Sequence, residues 1–323
     1  MSAVSVIGGG AWGVALATAA TRSGCDVLLH TRRSGTAVAG VRRTSSLEEV
    51  AKHARLVLLT VPSAHVRSVG HALGPHLDGR HLLVHGVRGL VAAPSRRPDY
   101  DGEELMTLSA ILRDETPVRR FGALGGPVLT SELSAGLPCV MVVASHYGEV
   151  LAAVRAAFHS ESLRIYTTHD LVGLEWASAL TGILAVAIGF ARGAGVGAGL
   201  VSAFAIRGVH EAARVAMAAG AEERTFTGLG GFGDLLAAIG EDDRPEVRLG
   251  VALSKGQDPK EAVAGLGEQI EALALAPRVA EFARRQGVVA PILDAVAHGL
   301  FERRTTAAEM IGMLMNAPMT GGA

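Results

Sequence analysis

The chain opens on a short apolar run, Val4 to Ile7, followed at once by Gly8-Gly9-Gly10-Ala11-Trp12-Gly13 and then by the small-residue stretch Val14 to Ala20. This order constrains the fold more than any other feature. A glycine cluster between a strand and a helix is a turn whose backbone must come close to something, and the G-x-G-x-x-G spacing gives each glycine a task. Gly8 is expected to make the tight turn, Gly10 to let the backbone approach a pyrophosphate, and Gly13 to let the helix pack closely. The first N–H groups of that helix have no partner within it and favour an anion. The expectation is a dinucleotide site contacted by Gly8, Gly10, Ala11, Trp12 and Gly13.

A second apolar run, Val27 to His30, ends about 20 residues further on, where a site selective for NAD places a carboxylate on the ribose hydroxyls. This chain has His30-Thr31-Arg32-Arg33-Ser34 instead. No carboxylate is there to repel a 2′-phosphate, and the guanidinium groups of Arg32 and Arg33 can pair with one. NADP is therefore favoured, or tolerated beside NAD. A solvated arginine pair is the competing reading.

Further β-rich runs at Leu56 to Val61, Leu82 to His85, Phe121 to Leu124, Val140 to Ala144 and Leu163 to Tyr166 alternate with helical stretches. That alternation predicts an α/β fold with a parallel, doubly wound Rossmann sheet. The polar, proline-rich stretch Pro94 to Glu104 reads as a surface loop. After about Thr168 the β-branched runs largely disappear, and helical periodicity continues through Val209 to Ala219, Ala274 to Arg285 and Ile292 to Phe301. At 323 residues the chain exceeds the usual size of one core. The expected division is a nucleotide-binding domain over residues 1–168 and an all-helical domain for substrate and dimerisation over residues 169–323.

Composition narrows the function classes. The net charge is −1 with arginine and glutamate interspersed, so no basic arm offers the counterion release that rewards nucleic-acid binding. Cys25 and Cys139 lie far apart without a C-x-x-C partner or a histidine cluster, which argues for a reducing compartment and against metal. The first strand begins almost at Met1, leaving no room for a signal peptide, so a cytoplasmic location is expected. Trp176 to Ile206 contains a single charge, Arg192, and mimics a membrane span. Its run to Phe190 is shorter than the roughly 20 residues needed to cross, and Gly193, Gly195, Gly197 and Gly199 break the pattern, so a buried core helix is expected.

Several stretches resemble, in order and spacing, the NAD(P)-dependent glycerol-3-phosphate dehydrogenase family. They are Val61-Pro62-Ser63, Gly125-Gly126-Pro127, Asp170 with Gly173-Leu174-Glu175, Arg207-Gly208 with Glu211, and Thr225-Phe226-Thr227-Gly228-Leu229-Gly230-Gly231-Phe232-Gly233-Asp234-Leu235. The resemblance implies reduction of dihydroxyacetone phosphate by NAD(P)H, a small phosphorylated or carbonyl substrate, and a homodimer joined through the helical domain. It implies cofactor contacts at Pro62, Arg244 and Glu271, and substrate contacts at Gly126, Asp234 and Arg244.

The chain also departs from the family pattern. The family's proton-exchanging lysine and its asparagine neighbour correspond to Thr181-Gly182, and a threonine hydroxyl can orient an oxygen but cannot act as the base. The family's second active-site lysine corresponds to Arg88 in Val87-Arg88-Gly89; it keeps the charge but donates protons poorly. The family's Ser-Arg-Asn phosphate motif reads Asp243-Arg244-Pro245. Arg244 can still grip a phosphate, whereas Asp243, Pro245 and Glu246 also read as an N-cap, an early-turn proline and a capping-box acid. Val128 and Gly199 replace a serine and an asparagine of the pattern.

Histidine is the natural replacement acid or base, and His85 falls at the C-terminal end of the fourth apolar run, where open α/β sheets bind ligands. An ordinary strand-end histidine is the plainer reading. Thr181, Arg88 and His85 are the candidate catalytic residues. Three functions remain open: a dehydrogenase of this family, a noncatalytic dinucleotide-binding protein, and a reductase of a different small carbonyl or imine compound.

Overall fold

The computed structural model describes residues 2–32, 38–95, 102–267, 270–301 and 312. Its strands are β1 (Ala3–Ile7), β2 (Asp26–His30), β3 (Arg42–Thr44), β4 (Leu56–Leu59), β5 (Leu82–His85), β6 (Val91–Pro94), β7 (Glu103–Met106), β8 (Arg120–Gly125), β9 (Cys139–Ala144) and β10 (Leu163–Thr168). Two compact units result: residues 1–91 with 106–175, and residues 92–105 with 176–323.

In the first unit eight strands form one sheet in the order β10-β9-β8-β5-β4-β1-β2-β3. The strand order reverses at β1, which pairs in parallel with β2 on one side and β4 on the other. Connections after β1 and after β4 thus leave in opposite directions and open a crevice at the carboxyl ends, where open α/β sheets bind their ligands. The core is aliphatic. Val4, Val6, Val27, Leu29, Leu58 and Val84 from the sheet meet Ala15, Leu16, Ala19 and Ala20 from the helix Ala11–Arg22, whose small side chains let it sit close to the strands.

The sheet is not uniformly parallel, as the strand-helix alternation suggested. β9 runs antiparallel to β8, while β10 is parallel to β9. The connection from Gly125 to Cys139 carries only the six-residue helix Thr130–Ala135, which rises about 9 Å and is too short to return the chain to the opposite edge. The short polar strand β3 and the ribbon of β6 with β7 were also unforeseen. The expected surface loop after Pro94 is thus flanked by strands, closed by Ser95 N–H donating to the Gly102 carbonyl at 2.9 Å.

The second unit contains that ribbon and the helices that follow. The helix Leu171–Gly193 begins in the first unit and forms the apolar core of the second, and its most apolar stretch is 89% buried. Its length and composition alone would fit a membrane span; its burial is that of a folded core, as the sequence indicated. Helix Ala198–Met217 follows the glycine break and starts after Gly197. Helix Pro245–Ser254 crosses the first long helix at close range. A Cβ on Gly189 would lie 2.2 Å from the Val247 carbonyl oxygen, one on Gly250 2.1 Å from that of Val186, and one on Gly193 2.2 Å from Ser254 Oγ. Glycines at these crossings bring two backbones together, and the same face of the long helix continues back to Gly182.

Candidate active site

The first unit places the candidate residues at the carboxyl ends of parallel strands. Gly8 follows β1, Arg32 follows β2, Pro62 follows β4, His85 ends β5 with Arg88 just beyond, and Gly126 follows β8. Parallel pairing among these strands puts all their ends on one edge.

The glycine turn is held by two threonines that sequence reasoning passed over. Gly8 has φ +124°, and its N–H donates to the His30 carbonyl at 3.1 Å. Thr60, just past β4, donates its hydroxyl to the carbonyl of Ile7 at 3.0 Å and shares it with that of Gly8 at 3.3 Å. A Cβ on Gly8 would lie 2.6 Å from both the Thr60 carbonyl oxygen and its Oγ1; on Gly13, 1.9 Å from the Gly8 carbonyl oxygen; on Gly9, 2.2 Å from the hydroxyl oxygen of buried Thr31. Gly10 differs: a Cβ there would meet nothing of the chain within 4 Å. Internal packing demands glycine at positions 8, 9 and 13, whereas at position 10 the space beside the backbone is open. Gly10 is the N-cap of helix Ala11–Arg22, and no side-chain hydrogen bond caps the first N–H groups.

Trp12 lies against the next strand end, since a Cβ on Gly86 would fall 2.6 Å from its indole Nε1. Arg32 is exposed at the end of β2, while Arg33 lies outside the described residues. Pro62 caps the helix Ser63–Leu73, and Arg88 is half-buried in the turn after β5. Gly126 has φ +90°, and a Cβ there would press on Val142 at 2.9 Å, so its identity has a backbone reason of its own.

His85 is 1% exposed. Its Nε2 stands 3.0 Å from Glu175 Oε1, and that carboxylate also accepts the Ser109 N–H at 2.8 Å and the Ser109 hydroxyl at 2.6 Å. A carboxylate acceptor keeps the ring proton on Nε2 and leaves Nδ1 as the basic nitrogen. That Nδ1 is buried and has no hydrogen-bond partner among the described residues. Ser109 was missed because nothing in its local pattern sets it apart; only the fold brings it to a residue 66 positions away.

In the second unit, Asp234 and Arg244 are buried together. Arg244 donates through Nη1 to the carbonyl and to Oδ1 of Asp234, at 3.3 Å each, and through Nε to Glu246 Oε2 at 3.2 Å. Glu246 was read only as a helix-start acid. Pro245 does lie in the first turn of a helix as expected, but the N-cap is Arg244, and Asp243 stands one position earlier, exposed. The cause is Pro245, which occupies the first helical position and forces its predecessor to be extended. Thr181 is buried on the long helix, and Glu271 precedes helix Ala272–Arg285, its carbonyl accepting from Ala274 and Leu275. Asp170 caps the long helix by accepting the Gly173 N–H at 2.8 Å. Glu211 is buried and accepts the N–H groups of Ile292 and Leu293 at 3.1 and 2.7 Å; burial pushes its carboxyl up to about 7.

Comparison with known proteins decides the lineage. Residues 35–151 match the family model for the N-terminus of NAD-dependent glycerol-3-phosphate dehydrogenase, and residues 170–311 match the model for its C-terminus. A glycerol-3-phosphate dehydrogenase [NAD(P)+] of Moorella thermoacetica is 32% identical over 98% of this chain and 96% of its own length. The chain belongs to the NAD-dependent glycerol-3-phosphate dehydrogenase family. A second member, from Alkalilimnicola ehrlichii, is 32% identical over 97% of this chain and 96% of its own. The family fold is seen in the crystal structure of the Coxiella burnetii glycerol-3-phosphate dehydrogenase, with a TM-score of 0.87 at 24% identity, covering 98% of this chain and 99% of that one. The Thr181-Gly182 and Asp243-Arg244-Pro245-Glu246 segments lie within the residues matched by the C-terminal model, and the glycine turn precedes those matched by the N-terminal one.

Proposed function

We propose that the protein is an NAD(P)-dependent oxidoreductase that interconverts a small secondary alcohol and its ketone, with the dihydroxyacetone phosphate and glycerol 3-phosphate pair as the reference substrates of its family. The observation that carries this reading is Gly10. It is the one glycine of the turn whose side-chain space meets nothing internal, at the N-cap of a helix whose first N–H groups have no side-chain cap. Those features suit a pyrophosphate.

Gly8, Gly10, Ala11, Trp12 and Gly13 hold the dinucleotide in this reading, Pro62 borders it, and Arg32 attracts a 2′-phosphate when NADP is the form bound. The nicotinamide supplies or accepts the hydride. With threonine at position 181, the proton falls to His85: Glu175 fixes its ring and keeps Nδ1 basic, so that nitrogen can take a proton from an alcohol or return one to a ketone oxygen. Arg88 stabilises negative charge on that oxygen. In the helical unit the family resemblance implies contacts at Asp234, Arg244 and Glu271, and this unit pairs two copies of the chain in a cytoplasmic homodimer.

Binding isotherms with NADPH and NADH, followed by addition of dihydroxyacetone phosphate while absorbance of the reduced nicotinamide is monitored, test the proposal. Cofactor binding with oxidation supports it. An unchanged NADPH affinity in Gly10→Asp would remove the dinucleotide site. Thr181 favours one other reading, a cofactor-binding protein without turnover, whose expected result is tight binding and no oxidation with any small ketone.

A further inference from the structure

Ser109 stands in the first turn of the helix Leu108–Glu115, buried, and gives both of its donors to one carboxylate. Its N–H donates to Glu175 Oε1 at 2.8 Å and its hydroxyl donates to Oε2 at 2.6 Å. His85 Nε2 lies 3.0 Å from the same Oε1. The carboxylate is thus tied at three points, and the Glu175 side chain is wholly buried. Two bonds from a single residue fix the plane of the carboxylate as well as its place. Thr107, the N-cap of the same helix, accepts the Ala110 N–H at 3.3 Å, and its hydroxyl lies 3.3 Å from that of Ser109. With the Ser109 proton committed to Glu175, Thr107 is left to donate to the Ser109 oxygen, which completes that hydroxyl's bonding.

The hydroxyl matters to the imidazole two residues removed in this chain of bonds. The Ser109 N–H alone would leave Oε2 bare in the interior, and a buried oxygen without a partner is costly. The carboxyl group would relieve that cost by turning or by taking a proton on Oε2, and either change weakens its hold on the ring. With the hydroxyl in place both oxygens act as acceptors, the ring proton stays on Nε2, and Nδ1 is left basic.

We propose that Ser109 is a positioning residue for His85: acting through Glu175, its hydroxyl sets the tautomer and the plane of the imidazole. The effect on turnover rests on the oxidoreductase reading, whereas the effect on the ring stands without it. No proton passes through Ser109. In the oxidative direction the alcohol proton goes to His85 Nδ1 while hydride leaves the alcohol carbon for the nicotinamide, and the charge gained by the ring is balanced by a carboxylate held in place beforehand.

The test compares the native protein with Ser109→Ala and Ser109→Thr. Nitrogen-15 NMR of the histidine rings, with the His85 signals assigned by their loss in His85→Gln, reads the tautomer. Steady-state kinetics with NADPH and dihydroxyacetone phosphate read kcat and KM, and melting curves confirm folding. The native ring is expected to carry its proton on Nε2. S109A should bring in the Nδ1-protonated form and lower kcat by roughly tenfold to a hundredfold, the usual weight of a hydrogen bond to a charged group, with KM for the ketone within about twofold of native. S109T keeps the hydroxyl and should return tautomer and kcat toward native values. A native ring protonated on Nδ1 overturns the proposal without any variant, and so does a folded S109A that keeps the native tautomer. Turnover absent from the native protein, with the tautomer still lost in S109A, would instead sink the oxidoreductase reading and leave the positioning of the ring standing.

Discussion

The two units put their glycines to different uses. In the sheet unit the glycine turn is intact and its buttresses, Thr31 and Thr60, are in place. In the helical unit Gly189, Gly193 and Gly250 seat one helix on another, and Gly182 at the same crossing faces Glu246, which holds Arg244. A fold can keep the geometry that presents a site while exchanging the groups presented, because backbone contact and side-chain chemistry make separate demands on the sequence.

The sharpest way to break this contrast is to ask whether the sheet unit has taken over the proton. His85→Gln is expected to lower kcat by roughly 10²- to 10⁴-fold, the usual cost of losing a general acid or base, while NADPH affinity stays near native. Equal losses of turnover and cofactor binding, or none of either, would return His85 to a structural role. Glycine substitutions come next. Gly13→Ala and Gly250→Ala each force a Cβ onto a carbonyl oxygen, at 1.9 and 2.1 Å, and should cost about 3 kcal/mol or more in urea unfolding. Gly10→Ala should leave stability within about 0.5 kcal/mol and weaken NADPH binding instead. If both sheet-unit variants lost stability equally, the outward-facing reading of Gly10 would fail.

The helical unit should show a pH dependence of its own through Glu211. Its carboxyl is raised from the usual 4.5 to about 7, so the folded chain holds that proton more tightly than the unfolded one. The associated stability is complete below the unfolded value, falls as pH rises, and is lost once pH passes the folded value, a contribution on the order of 3 kcal/mol by linkage. Urea midpoints should therefore decline between pH 5 and pH 8 by more in the native protein than in Glu211→Gln. Similar slopes would mean that Glu211 is ionised throughout. The smallest effect is expected at the cofactor's ribose: Arg32→Ala should reduce NADPH affinity by about tenfold and leave NADH nearly unchanged, as loss of one charge-assisted hydrogen bond implies.

What could be read from the sequence followed the range of the interactions. The strands with apolar runs, the glycine turn and the buried long helix are local patterns, and each was visible. β3, with the residues Arg42-Arg43-Thr44, has no apolar alternation and exists because β2 offers it an edge. The reversal of β9 depends on the length of a connection rather than on its composition. At the sites, the family pattern marked which residues had changed, but not what replaced their contacts. The bond from Ser109 to Glu175 and the ion pair from Arg244 to Glu246 come from packing, one across the sheet unit and one at a helix start misjudged by a single residue.

The chain's two tryptophans fall one in each unit. Trp12 sits in the glycine turn against Gly86, half-exposed, whereas Trp176 is buried with its ring 4.9 Å from that of Phe282. Their emission colours should differ accordingly, a redder band from the turn and a bluer one from the helical core. The protein thus carries a native fluorophore in each half. With Trp176→Phe, quenching of the remaining indole would report nucleotide arrival at the turn, and with Trp12→Phe the remaining emission would follow loosening of the helices alone. The two halves can therefore be watched separately in one unlabelled molecule.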